Sequence, residues 1–308
     1  MAKSYDINGK KVKVKDKNKN STRFNVVAMT IIIIHLCLIY IPVLWGIAQS
    51  IKPRIEFMTD RIGLPMNPTF EHYGTVFQYF THTIVRNGRP TTIYFEEMIW
   101  NTVLFAGGTS FFSFVATSFI AYIIYRYRRF KASGVIFTVL LLALNISIQG
   151  STASALALYH SIGVYDNMIA FWLLSFHPLN FYFLVYHAGY KSIPDELYEA
   201  AEVDGANRLM LYFKIGLPLV KGVTLLFILS SFIGAWNNYA TNLTWLPSYP
   251  FVGYGLYLFN IKTTPPVIAH SSVKLAAAFV AAMPMLVVLA IFGNKMMKGV
   301  TISGGIKG

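Results

Sequence analysis

The sequence predicts an all-α polytopic membrane protein, with six transmembrane helices and one helical loop on the cytoplasmic side. Three observations carry this reading. Of 308 residues, 55% are apolar and only 13% charged, about half the charged share of an ordinary water-facing domain. The apolar residues gather in six stretches free of Asp, Glu, Lys and Arg, at 24–48, 98–125, 132–159, 168–189, 223–243 and 275–292. The basic residues divide unequally across those stretches, with 19 of the 26 Lys and Arg on one side and seven on the other.

Residues 1–23 form a basic leader containing Lys10, Lys11, Lys13, Lys15, Lys17, Lys19 and Arg23. The apolar run after it is longer than a secretory signal core and is followed by no small-residue cleavage site, so it reads as a retained anchor. With the long loop behind it, this run makes a segment 24–97. A ~30 Å hydrocarbon core takes roughly 20 helical residues. Lipid offers no partner to a free N–H or C=O, so each run must be a helix. The remaining five spans make a core, 98–293, and residues 294–308 form a tail. Pro42, Pro178 and Pro284 each remove a helical hydrogen bond and predict kinks. The sixth span is the shortest.

Six spans place both termini on one side, and the Lys/Arg excess makes that side cytoplasmic. The net charge of +13 is then a topology signal whose counterpart is anionic lipid headgroups rather than nucleic acid. Cys37 is the only cysteine, so an intrachain disulfide is excluded.

Intramembrane enzymes and ion-coupled carriers place ionisable groups within their spans. Here the spans hold only His35, His177 and His187, and each reads as a packed or interfacial residue. No metal-binding or nucleophile motif is present, and no Gly-rich phosphate loop. The chain therefore predicts no catalytic or metal site and no cofactor of its own. Any energy it uses comes from another polypeptide.

The longest cytoplasmic connection, 190–221, is the most informative segment. Pro194 suits the start of a helix, and Asp195 and Glu196 sit near the positive end of its dipole. Gly205 supplies the left-handed residue that ends it. A second short helix is expected over 206–213, before Pro218 opens the next span. The product is a helix, a sharp turn and a helix at the membrane surface, with an Ala-rich face that another protein can approach closely.

Here the chain resembles the inner-membrane permeases of binding-protein-dependent ABC importers. Their signature of E-A-A, then G, then I-x-L-P is met by Glu199, Ala200, Ala201, Gly205, Ile215, Leu217 and Pro218 at every spacing, with Asp204 before the glycine. Asn101 matches the asparagine that opens the second span, and Trp236-Asn237-Asn238-Tyr239 matches a fifth-span W-N-[ED]-[FY] pattern in which Asn238 replaces the usual acid. The last eleven residues are similar to the endings of the sugar-uptake branch, such as the maltose permease of the MalG type.

The resemblance implies a bacterial cytoplasmic-membrane protein working with an ABC ATPase dimer that binds ATP and Mg, a second permease, and an extracytoplasmic solute-binding protein. Glu199, Ala200, Ala201, Asp204, Gly205, Ile215, Leu217 and Pro218 would form the ATPase-coupling element. Asn145, Gln149, Ser151, Trp172, Asn180, Trp236, Asn237 and Asn238 are candidates for a sugar path, since sugars need neutral hydrogen-bonding groups and aromatic faces. Helix-to-helix packing accounts for such residues equally well. The segment 244–274, rich in Pro and aromatics, stands where the maltose-type branch reaches its binding protein, and a loop folded on its own chain fits the same composition. The alternatives are an importer of a polyamine or phosphate ester, a secondary carrier, and a membrane protein that recruits a soluble partner.

Overall fold

The computed structural model describes residues 17–86, 88–146 and 152–304, with side chains over 24–86, 88–146 and 152–293. Two compact units divide the chain, one up to Phe70 and one from Glu71.

In the first unit, α1 (Lys17–Ser50) begins within the basic leader and runs on through Pro42 without a break. A short helix α2 (Arg54–Thr59) follows. The turn between them is built around Lys52, whose side chain is fully buried. Its ammonium donates to the Asp60 carbonyl at 2.6 Å, to Asp60 Oδ2 at 3.1 Å and to the Gly63 carbonyl at 3.0 Å. Hydrogen bonds from the Gly63 N–H and then from Lys52 hold the Asp60 carboxyl below its ordinary pKa. A buried ammonium is tolerated only when paired and hydrogen-bonded, and this one fastens the start of the loop.

The second unit opens with α3 (Glu71–Tyr79) and an antiparallel hairpin of β1 (His82–Arg86) and β2 (Arg89–Ile93), in which His82 pairs with Ile93 and Arg86 with Arg89. Then come α4 (Phe95–Arg126), α5 (Lys131–Asn145), α6 (Thr152–Ser161), α7 (Met168–Leu174) and α8 (Tyr182–Lys191). The connection 190–221 holds α9 (Asp195–Val203), α10 (Arg208–Met210), a π-helical turn (Leu211–Gly216) and α11 (Leu217–Leu219). Then α12 (Lys221–Trp236), α13 (Ala240–Thr244), α14 (Val252–Ile261), a 3-10 turn (Pro266–Ala269) and α15 (Ser271–Gly304) complete it.

The fold is helical, as the sequence predicts, apart from the hairpin. The spans depart from expectation in detail. Among the described residues, three helices are each long and apolar enough to cross a membrane: 24–50 of α1, α4, and 271–293 of α15. A fourth candidate is the pair Arg208–Leu219 and Lys221–Trp236, bent by 75°. The fourth expected span is divided between α7 and α8 at the segment holding Pro178, while Pro42 and Pro284 lie inside continuous helices. Of these three long spans the last, at 23 residues, is the shortest. Its helix continues beyond the span to Gly304, with Gly293 and Gly299 tolerated at a cost of ~1 kcal/mol each.

Helix α4 packs against α5, α7, α8, α12 and α14. One buried cluster at its start joins Phe80, Ile93, Met98, Phe259 and Val273. The cluster at its C-terminal end is tyrosine-rich, with Tyr122, Tyr125, Tyr186, Tyr190, Tyr198 and Tyr212.

Candidate functional site

The coupling-type loop is assembled from local rules. Pro194 (φ −58°) precedes α9, and Asp195 and Glu196 occupy its first turn. The helix closes in a Schellman pair: the Ala206 N–H donates to the Ala201 carbonyl at 2.9 Å and the Gly205 N–H to the Glu202 carbonyl at 3.1 Å, with Gly205 at φ +82°. Nothing lies within 4 Å of where a Cβ on Gly205 would stand, so its constraint is conformational rather than steric. Asn207 then caps the next turn, its Oδ1 accepting from the Met210 N–H at 2.8 Å. The expected second helix is short, α10 passes into the π turn at Leu211, and Pro218 lies in α11 with the long helix opening only at Lys221.

The motif residues divide by environment. Glu199, Ala200, Asp204, Gly205 and Pro218 are exposed. Ala201, Ile215 and Leu217 pack inward on the tyrosine cluster. Tyr198, between the acidic residues, is fully buried, and Val203 on the other side is 88% exposed. The loop is fixed to the end of α4 by ion pairs between Arg126 and Glu202 and between Arg128 and Asp195. Tyr125 OH also donates to Asp195 Oδ1 at 3.2 Å. Burial raises the Asp195 carboxyl, but the hydrogen bond and charge of Arg128 outweigh it and hold the pKa below its ordinary value. A cavity of about 490 Å³ lies between this loop and α4, lined by Tyr122, Arg126, Arg129, Glu199, Glu202 and Arg208 among others. Among the described residues, no group of three or more His, Cys, Asp or Glu is placed to hold a metal ion.

The six path candidates among the described residues do not converge. Asn145 is exposed at the end of α5, donating to the Leu141 carbonyl at 2.7 Å. Gln149 and Ser151 lie outside the described residues. Trp172 lies against Gly108, where a Cβ would come within 2.2 Å of its ring, and its buried indole N–H has no acceptor among the described residues. Asn180 reaches the same helix, donating to Thr117 Oγ1 at 2.7 Å. Trp236 is 4% exposed and donates to the Ala281 carbonyl on α15 at 3.0 Å. Asn237 is exposed, while Asn238 holds a turn by donating to Thr241 Oγ1 at 2.7 Å and accepting from the Thr241 N–H at 3.0 Å. Of the histidines, His187 packs on Phe137 with ring centroids 4.5 Å apart.

Segment 244–274 folds on its own chain, burying Leu246, Phe251 and Phe259. Buried Asn242 organises it: its Nδ2 donates to the Leu246 and Tyr249 carbonyls at 2.8 and 2.6 Å, and its Oδ1 accepts from the Phe251 N–H at 2.9 Å. Asn101 and Thr102 fasten it to α4, donating to the Pro250 carbonyl at 3.3 Å and accepting from the Val252 N–H at 3.0 Å. Asn101 is legible in the sequence, whereas Asn242 sits in 237–244, where polar residues mix with Tyr239 and Leu243 at no fixed spacing.

Residues 119–298 match the family of binding-protein-dependent transport system inner membrane components. The chain belongs to that family, and is thus a membrane-embedded permease subunit of an ABC transporter. It is 26% identical over 275 residues to the galactooligosaccharides transport system permease protein GanQ of Bacillus subtilis (strain 168), spanning 88% of this chain and 91% of that relative. It is 24% identical over 296 residues to the arabinooligosaccharides transport system permease protein AraQ of the same organism, spanning 94% and 99%. Its fold matches a chain from the crystal structure of a bacterial ABC transporter involved in the import of the acidic polysaccharide alginate, with TM-score 0.70 and 20% identity over 90% of this chain and 98% of that one.

Proposed function

We propose that this chain is the permease subunit of an ATP-driven importer for an oligosaccharide, passing solute from an extracytoplasmic binding protein to the cytoplasm. The observation that carries the proposal is the E-A-A loop, folded as a helix and a tight turn with Glu199 and Ala200 exposed. A basic group on an ABC ATPase meets Glu199, and Ala200 lets that partner approach closely. ATP and Mg are bound by the ATPase and not by this chain. A second permease completes the pore. The sugar reading rests on relatives named for galactooligosaccharide and arabinooligosaccharide transport, and it suits spans whose polar groups are neutral amides and hydroxyls. In this reading α5 with α6, and α7 with α8, each cross once as divided segments, giving six crossings with both termini cytoplasmic. The related alginate transporter was crystallised with its pentasaccharide-bound periplasmic protein, and an equivalent protein would deliver the sugar here.

The test is ATP hydrolysis by the chain co-purified in lipid with its neighbours, with and without a binding protein loaded with oligosaccharide. Stimulation that is lost in Glu199→Lys is the expected result. Failure of any ATPase to accompany the wild-type chain would overturn the proposal.

A further inference from the structure

The acidic residues of α9 are not equivalent. Asp195, Tyr198 and Glu202 recur at intervals of three and four, which puts them on one face of the helix, and that face meets the cytoplasmic end of α4. Glu196 and Val203 lie on the exposed side, and Glu199, exposed but in no ion pair among the described residues, borders the cavity that Arg126 and Glu202 also line. Each end of the inward face is held by one arginine. Arg126 pairs with Glu202 in the last turn of α9 while its guanidinium lies 5.2 Å over the Tyr198 ring. Arg128 pairs with Asp195 in the first turn while its guanidinium lies 4.5 Å over the Tyr125 ring, and Tyr125 OH donates to the other Asp195 oxygen.

We propose that Arg126 and Arg128 are positioning residues for energy coupling: a two-point clamp that fixes both the place and the rotation of α9 on α4, so that a push on the loop is delivered to the bundle instead of being lost in a pivot. The reasoning is mechanical. An exposed ion pair by itself fixes little, and a single attachment leaves a helix free to swing. Here the two pairs stand at opposite ends of one nine-residue helix, each guanidinium is stacked on a ring, and the fully buried Tyr198 sits between them. The arginines that do this project from the last turn of α4 and the residues just beyond it, the helix that packs on α5, α7, α8, α12 and α14, so the clamp feeds the central member of the bundle. Its second effect is selective: Asp195 and Glu202 are engaged within the chain, which leaves Glu199 to a partner.

The proposal rests on the reading that α9 docks an ATPase, and its test separates the two. Charge reversals Arg126→Glu and Arg128→Asp are compared with the swapped pairs Arg126→Glu/Glu202→Arg and Arg128→Asp/Asp195→Arg, in the co-purified complex in lipid. The reversals are expected to keep the ATPase bound but to cut stimulation by the loaded binding protein about tenfold, and the swaps to restore most of it. Amide hydrogen exchange over 195–203, measured on the chain without any ATPase, is expected to speed up in the reversals and return in the swaps. Should reversed chains aggregate, Arg126→Lys and Arg128→Lys carry the test, since lysine keeps the charge but loses the planar fork and its stacking. Their expected result is partial loss of stimulation. Unchanged exchange and stimulation in the reversals or the lysine variants, or swaps that restore neither, would overturn the clamp. Absence of an ATPase from the wild-type complex would instead overturn the docking reading and leave the exchange result standing.

Discussion

Gly205 is the residue on which the loop's shape turns. At φ +82° with open space around it, glycine sits without strain, whereas a β-branched residue there is strained by about 1–3 kcal/mol. Gly205→Val is therefore expected to leave the bundle folded, with melting unchanged within a few degrees, while sharply lowering ATPase stimulation in the reconstituted complex. A wild-type level of stimulation would show that the turn is not needed for transmission. The signature positions were all legible in the sequence, but their division was not. Periodicity places Glu199 and Ala201 two residues apart and hence on different sides of α9, yet which side faces the protein depends on Tyr198 and on arginines some seventy residues upstream.

At the scale of elements, the ion pair between Arg128 and Asp195 ties the start of α9 to α4, and its pH dependence has a definite sign. The Asp195 carboxyl is held below its ordinary value of 3.8 in the folded chain, so its contribution to stability is complete above that ordinary value and is lost as pH falls through the lowered one. Amide exchange over 195–203 is expected to show flat protection from about pH 5 to 8, after allowance for the intrinsic rate, and a decline only below about pH 4. A decline centred near neutrality would point to a different group. The elements themselves were legible where their signal was long. The hairpin departs from the all-helical expectation, and its signal in the sequence is local: Asn87-Gly88, a common two-residue hairpin pair, between Thr- and Ile-bearing runs. Pro178 marked a kink, and the outcome was a full break: proline interrupts the helical ladder, and the neighbouring Asn180 ties the separated segment to α4.

Across the whole molecule, the charge pattern predicts an orientation before any contact is considered, and that orientation can be tested directly. In a Cys37→Ser background, Gly88→Cys at the hairpin tip is expected to react with a membrane-impermeant thiol reagent added from outside, and Asp204→Cys only after the cytoplasmic face is opened. Labelling with the opposite sidedness would invert the topology drawn from the 19-to-7 division of basic residues. The π-helical turn at Leu211–Gly216 has a consequence for chain length. A π turn takes up one residue more than an α-helical turn, so losing any single residue between 211 and 216 would let the run relax to a regular helix. The extra residue is taken up within that one turn, so α12 and the chain before it would keep nearly their present relative rotation, whereas a deletion among the regular turns of α12 would rotate everything beyond it by about 100°. A one-codon deletion is therefore expected to be better borne at 211–216 than within the regular turns of α12, provided that the signature residue Ile215 is kept.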